Sequence, residues 1–321
     1  MAKYELAIVI PAYKIDFFDR MLESLKNQTC KDFNVYIGID ASKYDFETIV
    51  ANYTKTLNII CKRFSENLGG KNLVAQWTRC IEITQNEPWI WLFSDDDMIE
   101  KNCVEQFYKT LSYENEHFDI YHYNVKVIND QNKIIKSPRL YPNIISSIDF
   151  YRKKQSAKLD SFVVEYIFSR KIYNEVNGFE LFDLAWGADI ATWCKMGMRK
   201  GIKTINNAYV YWRKSNYNIT PQLENSIAYR KINIEVLYYD WMNRFFKSNI
   251  IKRDNIYFFV RSYVYYSLSL KHSQQKEIIY KAQSKNIVPV IVGKMLIIMT
   301  PIIKTIKYIK MFCKNELYNL K

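Results

Sequence analysis

The 321-residue chain has no C-x-x-C pair, no dense cysteine cluster and no internal repeat. That argues against structural zinc and against a repeat architecture. The six cysteines (Cys30, Cys61, Cys80, Cys103, Cys194 and Cys313) read instead as small core hydrophobes. The opening MAKYELAIVI lacks the basic start and cleavage site of a signal peptide, so a reduced, cytoplasmic setting is expected. The apolar stretch 287–303 is interrupted by Pro289, Gly293, Lys294 and Pro301, which argues against a bilayer-spanning helix. No recognised nucleic-acid motif accompanies the 26 tyrosines and the basic charge, so nucleic acid is not the expected partner.

Hydrophobic residues make up 49% of the chain, enough for one large mixed domain or a domain with an appendage. Lysine and arginine total 46 against 33 acidic residues, a net of +13. Such a surface attracts polyanions, whether nucleotide phosphates, anionic lipid or nucleic acid.

The run LAIVI at 6–10 is short, continuous and β-branched, and stops at Pro11, as a strand buried on both faces does. Residues 17–27 place Phe18, Met21, Leu22 and Leu25 at helical spacing, and 35–39 is the next apolar run. Strand, helix and strand within so short a span predict parallel pairing in an α/β domain. The spacing predicts a third strand at 57–61, a helix at 73–83 and a fourth strand at 89–93, ending abruptly in SDDD. A helix at 103–111, a strand at 120–128 and a basic connection at 129–158 follow. Beyond Pro221 the chain turns to long Tyr-rich and Lys-rich helical stretches. The expected division is therefore a domain at 1–220 and a helical, basic region at 221–321. Near its end Lys304, Lys307, Lys310 and Lys314 alternate with Ile302, Ile303, Ile306, Ile309 and Phe312, the pattern of a basic amphipathic helix. Such a helix rests on an anionic membrane or packs on the domain.

Three consecutive aspartates, Asp95, Asp96 and Asp97, are not expected in a core, because adjacent buried carboxylates repel and lose hydration. Either they cap the next helix or they meet a cation. Mg²⁺ and Mn²⁺ prefer oxygen ligands, and a nucleotide diphosphate on the same ion completes the shell.

The residues around this cluster resemble the inverting family 2 glycosyltransferases of the GT-A fold, over about 5–220. IVIPAYK is similar to that family's first strand and its end, and KNQT to the close of the following helix. The resemblance implies that Pro11, Ala12 and Tyr13 line the nucleotide base. YIGIDAS resembles the family's V-D-D-G-S, with Asp40 and Ser42 matching and Ile39 in place of one aspartate. Asp40 is then the partner of the base, expected to be uracil. SENLGGKNLVAQW resembles the N-x-G segment, so Asn67 and Gly69 are expected at the nucleotide, with Lys71 within reach of a phosphate unless it is simply a solvated lysine. WLFSDDDMIEKN resembles the D-x-D segment, with Ser94 where many relatives carry their first aspartate. This implies Asp97 on the metal and Asp95 or Asp96 at the ribose or a second coordination position.

VNGFELFDLAWGADIATW resembles the family's acceptor region, whose aspartate is the catalytic base. Asp189 matches it, and Ala188 replaces the usual glutamate. Asp189 otherwise serves as a helix N-cap. Asp183 is the reserve base, and Trp186 offers an aromatic face to an acceptor sugar, whereas Trp193 reads as core. YVYWRKSNYNIT resembles a late segment that usually holds a histidine. Here Arg213 and Lys214 are the cations expected to neutralise the diphosphate.

The resemblance implies transfer of a sugar from a UDP-sugar to a glycan or lipid-linked saccharide, with inversion, with Mn²⁺ or Mg²⁺, in surface-polysaccharide synthesis at the cytoplasmic membrane face. A nucleotidyltransferase of the same fold would carry a glycine-rich basic loop after the first strand, and PAYKIDFF has none. A catalytically idle relative is favoured by Ile39, Ser94 and Ala188 and opposed by Asp40, Asp97 and Asp189.

Overall fold

The computed structural model describes residues 4–214, 223–302 and 305. The chain divides into two compact units, Met1–Tyr217 and Asn218–Lys321.

The first unit is a mixed α/β layer structure. Strand β1 (Leu6–Ala12) is buried along almost its whole length, as its continuous apolar run requires. Helix α1 (Phe18–Lys26) buries Phe18, Met21, Leu22 and Leu25, the residues whose spacing announced it. Strand β2 (Phe33–Ile39), helix α2 (Phe46–Ala51) and strand β3 (Asn58–Arg63) complete the first half. Helix α3 (Leu73–Ile81) is started by Asn72, whose side chain accepts the Ala75 N–H at 3.0 Å. This is an ordinary side-chain cap. Strand β4 (Trp89–Leu92) is buried throughout and is followed by β5 (Met98–Ile99), α4 (Cys103–Ser112) and β6 (Ile120–Ile128).

The segment expected to be a mere connection holds short strands β7 (Ile134–Lys136) and β8 (Ile144–Ile145) and helix α5 (Ser147–Gln155). Strand β9 (Tyr166–Ser169) and helix α6 (Arg170–Glu175) precede helix α7 (Ala188–Met196) and the long strand β10 (Ile202–Arg213).

The sheet order is β3-β2-β1-β4-β9-β6-β10-β5. Strands β3, β2, β1 and β4 pair in parallel. Strand β9 is antiparallel to both β4 and β6, and β6 is parallel to β10. The long strands therefore share one direction and end on one edge. Aromatic packing locks the centre: Trp91 stacks on Tyr123 with centroids 5.1 Å apart, and its indole N–H donates to the Val164 carbonyl at 2.6 Å. Cys80, Cys103 and Cys194 are buried and Cys30 and Cys61 partly so, all of them free thiols.

The second unit contains helices α8 (Asn225–Phe246), α9 (Asn249–Tyr266) and α10 (His272–Ser284), and a helix over 290–302. Among the described residues no helix is long and apolar enough to cross a membrane. The expected amphipathic helix from Ile302 onward lies almost entirely outside the described residues.

One close approach in the first unit is testable. A Cβ added at Gly38 in β2 would stand 2.3 Å from the Cys80 sulfur of α3 and 3.0 Å from the Phe64 ring. Gly38→Ala should cost about 1–3 kcal/mol in urea unfolding, the usual range for overpacking. Adding Cys80→Ala should recover part of that loss, and purely additive losses would show that the two residues do not collide.

Candidate functional site

At the common strand edge the ends of β1, β2 and β4 are tied together by side chains. Asp95 accepts the backbone N–H groups of Tyr13 and Lys14 on one carboxylate oxygen, each at 2.7 Å. Ser42, beyond β2, donates its hydroxyl to the Tyr13 carbonyl at 2.8 Å. Ala12 is buried and Pro11 partly so, while the Tyr13 ring stands half exposed just past the strand end.

All three aspartates are buried, against the expectation that they would stay out of the interior. Local donors make this tolerable. The Ser94 hydroxyl bridges Asp96 at 2.7 Å and Asp97 at 2.8 Å, and the Arg213 backbone N–H donates to the other Asp97 oxygen at 2.6 Å. Lys14 adds its ammonium 3.7 Å from Asp96. These donors do not cancel the charge. Burial, followed by the charge of Asp96, raises the Asp95 carboxyl to about 7 and drives Asp97 well above the ordinary carboxylate range. Both are carboxyls that hold a proton, or accept a cation, far more readily than a solvated aspartate.

Arg213, expected to face a diphosphate, is instead 1% exposed. Its guanidinium donates to the carbonyls of Asp96 at 2.8 Å and Asn129 at 2.7 Å and lies 4.1 Å above the Phe17 ring. It braces the aspartate turn from behind. Lys214 is exposed at the end of β10.

Asp40 closes β2. Its two oxygens accept the N–H groups of Leu68 at 2.7 Å and Gly69 at 2.8 Å, and Arg79 of α3 forms an ion pair with it. A Cβ added at Gly69 would stand 2.7 Å from the Asp40 carboxylate and push it from these donors. Asn67 accepts the Gly70 N–H at 2.7 Å and so shapes the same turn, while Lys71 is exposed beside it. Arg79, whose guanidinium lies 3.9 Å over Phe64, was missed in the sequence because it sits inside a helix with no motif to mark it.

On the other side, Gly187 adopts a left-handed φ of 83° and starts α7. Asp189 lies in the first turn of that helix and is not its N-cap. It is partly buried, and desolvation raises its carboxyl to about 6 even though the Lys154 charge and main-chain N–H groups pull it down. Asp183 is exposed in a tight turn and Trp186 partly buried just before α7. Trp193 is fully buried and stacked on Tyr166 at 4.6 Å, a core residue.

Glu165 was not expected. Trp91 pairs antiparallel with Ile167, so Glu165, just before β9, lies at the end of the sheet where β4 runs out. It is fully buried. One oxygen accepts the Phe162 N–H at 2.7 Å and the other has no hydrogen-bond partner. Burial raises it to about 8, and the nearby Asp189 charge adds to the rise. Among the described residues no three acidic, histidine or cysteine side chains form a ready metal cage.

The sequence model of glycosyl transferase family 2 matches residues 7–176, more than half of the chain. The chain belongs to that family, and its mixed α/β fold with a mostly parallel sheet is of the GT-A kind. Among solved structures it is similar to the Staphylococcus aureus protein TarS 1–349 in complex with UDP-GlcNAc, at 14% identity and a TM-score of 0.58 over 88% of each chain. The UDP complex of the same protein gives a TM-score of 0.55, again at 14% identity over 88% of each chain. Full-length TarS gives 0.56 at 14% identity, over 91% of this chain and 54% of that one. No curated relative matches.

Glu165 titrates at about 8 in the folded protein against an ordinary 4.5. Between those values the unfolded chain binds fewer protons than the native one, so stability falls as pH rises through the window. Glu165→Gln removes this loss. Measured in urea, the stability of the variant relative to wild type should be lowest near pH 4.5 and climb steadily to pH 8. A difference independent of pH would show that Glu165 ionises normally.

Proposed function

We propose that this glycosyltransferase moves a hexose from a UDP-sugar to a glycan or lipid-linked saccharide, inverting the anomeric centre, with Mn²⁺ or Mg²⁺, in surface-polysaccharide assembly. The work is assigned to the cytoplasmic membrane face. The observation that carries the reading is the pair of buried carboxyls, Asp95 and Asp97, raised far above their ordinary range at the strand edge where α/β sheets bind ligands. The binding of UDP and UDP-GlcNAc by the structurally similar TarS supports the choice of donor.

Two carboxylates without a full cage suit Mg²⁺ or Mn²⁺, which keep few protein ligands and complete their shell with phosphate oxygens. Asp97 would hold the ion together with the Asp95 oxygen that does not take the Tyr13 and Lys14 amides. Bound there, the ion supplies charge stabilisation to the departing diphosphate. Pro11, Ala12 and Tyr13 form the wall for the base, and Asp96 reaches the ribose. Asp40 fixes the 67–70 turn and offers its remaining lone pair to the base, with Asn67, Gly69 and Lys71 beside the phosphates. Lys214 is the exposed cation left for the diphosphate, since Arg213 is engaged in bracing the turn.

Asp189 acts as the base. It takes the proton of the acceptor hydroxyl while the acceptor oxygen bonds to the anomeric carbon and the bond to the diphosphate oxygen breaks. A carboxyl at about 6 is ionised at neutral pH yet more basic than a solvated aspartate. Trp186 packs against the acceptor sugar and Asp183 hydrogen-bonds its hydroxyls.

Two measurements test this. UDP at a hundredfold its dissociation constant should stabilise the protein by roughly 2.7 kcal/mol in thermal unfolding. That stabilisation should need Mn²⁺ and vanish in Asp97→Ala. A response to GDP or CDP alone would change the donor, and no response to any nucleotide would remove the transferase reading. Asp189→Asn should bind UDP as wild type does but lose roughly 10²–10⁴-fold in kcat. Near-normal turnover would move the base elsewhere.

A further inference from the structure

The helix over 290–302 in the second unit is packed the wrong way round for water. Its inward face carries Gly293, Leu296 and Thr300. A Cβ added at Gly293 would run into Gln283 and Ile279 of α10, and the Thr300 hydroxyl shares a 3.0 Å hydrogen bond with Tyr263 of α9. Gly293 and Thr300 are thus turned in, with Leu296 between them. The outward face carries Ile291, Met295, Ile298 and Ile302, with Met299 beside them, each half or more exposed and Ile298 at 70%. Steps of four, three and four residues put them on one stripe. A contiguous exposed apolar stripe marks a contact surface.

We infer that this stripe seats on an anionic membrane surface. Charge decides the occupant. A second copy of the chain would bring its own net charge of +13 to the contact, whereas anionic headgroups are attracted by it. Lys294 stands exposed on the same helix, and the sequence continues with Lys304, Lys307, Lys310 and Lys314 while Ile306 and Ile309 keep the apolar spacing. Among the described residues no helix is long and apolar enough to span, and an apolar outer stripe with lysines nearby suits the plane of the interface. The inference deepens the membrane-face part of the proposed function. Vesicle binding is measured without any sugar, so either can fail alone.

The test is flotation of the full chain with vesicles of phosphatidylglycerol and phosphatidylcholine, or of phosphatidylcholine alone, beside a Met295→Glu/Ile298→Glu variant. Both positions are exposed, and thermal unfolding checks that the variant folds as wild type does. Wild type should float with the anionic vesicles, less so as salt rises, and the variant should bind roughly tenfold more weakly or worse. Wild type that stays unbound, or a variant that floats equally, overturns the inference. A wild-type dimer in light scattering that the variant breaks, without vesicle binding, would overturn it in favour of a second copy.

Discussion

The first unit depends on how much negative charge it can hold at the end of β4. Asp95 and Asp97 are buried, and each is held by main-chain N–H groups from another strand end, Tyr13 and Lys14 after β1 and Arg213 at the end of β10. Hydrogen bonds from backbone N–H to a carboxylate are among the stronger neutral–charged contacts. They also fix geometry. Three strand ends distant in sequence are brought into register around one turn, and the Arg213 guanidinium joins the Asp96 carbonyl of that turn to the Asn129 carbonyl after β6. Removing that side chain would leave the Asp96 and Asn129 carbonyls without its guanidinium and take a positive charge from beside Asp97, whereas the main-chain N–H on Asp97 would stay, so the guanidinium's value is structural.

Asp40 repeats the device on the other side of β1. Its carboxylate gathers the Leu68 and Gly69 amides and the Arg79 guanidinium, which fastens the glycine turn to the end of β2. The edge is therefore a row of carboxylates each spoken for in part by the protein. Such preorganisation keeps the lone pairs that remain aimed in fixed directions. Rigid placement matters more for a transferase than affinity for any one group, because the reacting atoms must line up.

Most of this half was legible in the sequence because it is built from local signals. A buried parallel strand is a continuous apolar run, and an amphipathic helix repeats every three or four residues, so the elements containing Leu6, Phe18, Val35, Leu73 and Trp89 fall where the periodicity put them. Strands β7 and β8 escaped because each is too short to show a period, and within 129–158 helix α5 buries only Ser147, Phe150 and Tyr151, too little apolar spacing to announce it. The inward turn of Arg213 was hidden because an arginine beside a lysine looks alike in sequence whether it faces solvent or carbonyls. Glu165 lies in a stretch with no motif, and only the antiparallel pairing of β9 with β4 brings it to the end of the sheet where β4 runs out.

Besides the missing histidine of the late segment, three positions where the chain departs from the family pattern bear on whether it works as an enzyme. Ile39 and Ala188 are fully buried, where a carboxylate would have to be desolvated, and Ser94 replaces a charge with a hydroxyl that bridges the two neighbouring aspartates. All three changes lower the negative charge of the edge. A protein drifting toward a purely structural role would be expected to continue in that direction, since every buried carboxyl with a raised pKa costs stability at neutral pH. Asp95, Asp97 and Asp189 remain, and they and Glu165 are all raised by burial. Asp95 and Asp97 offset part of that cost by tying strand ends together, whereas the second oxygen of Glu165 has no hydrogen-bond partner. A carboxyl held in this state is one that cation binding or proton transfer would use.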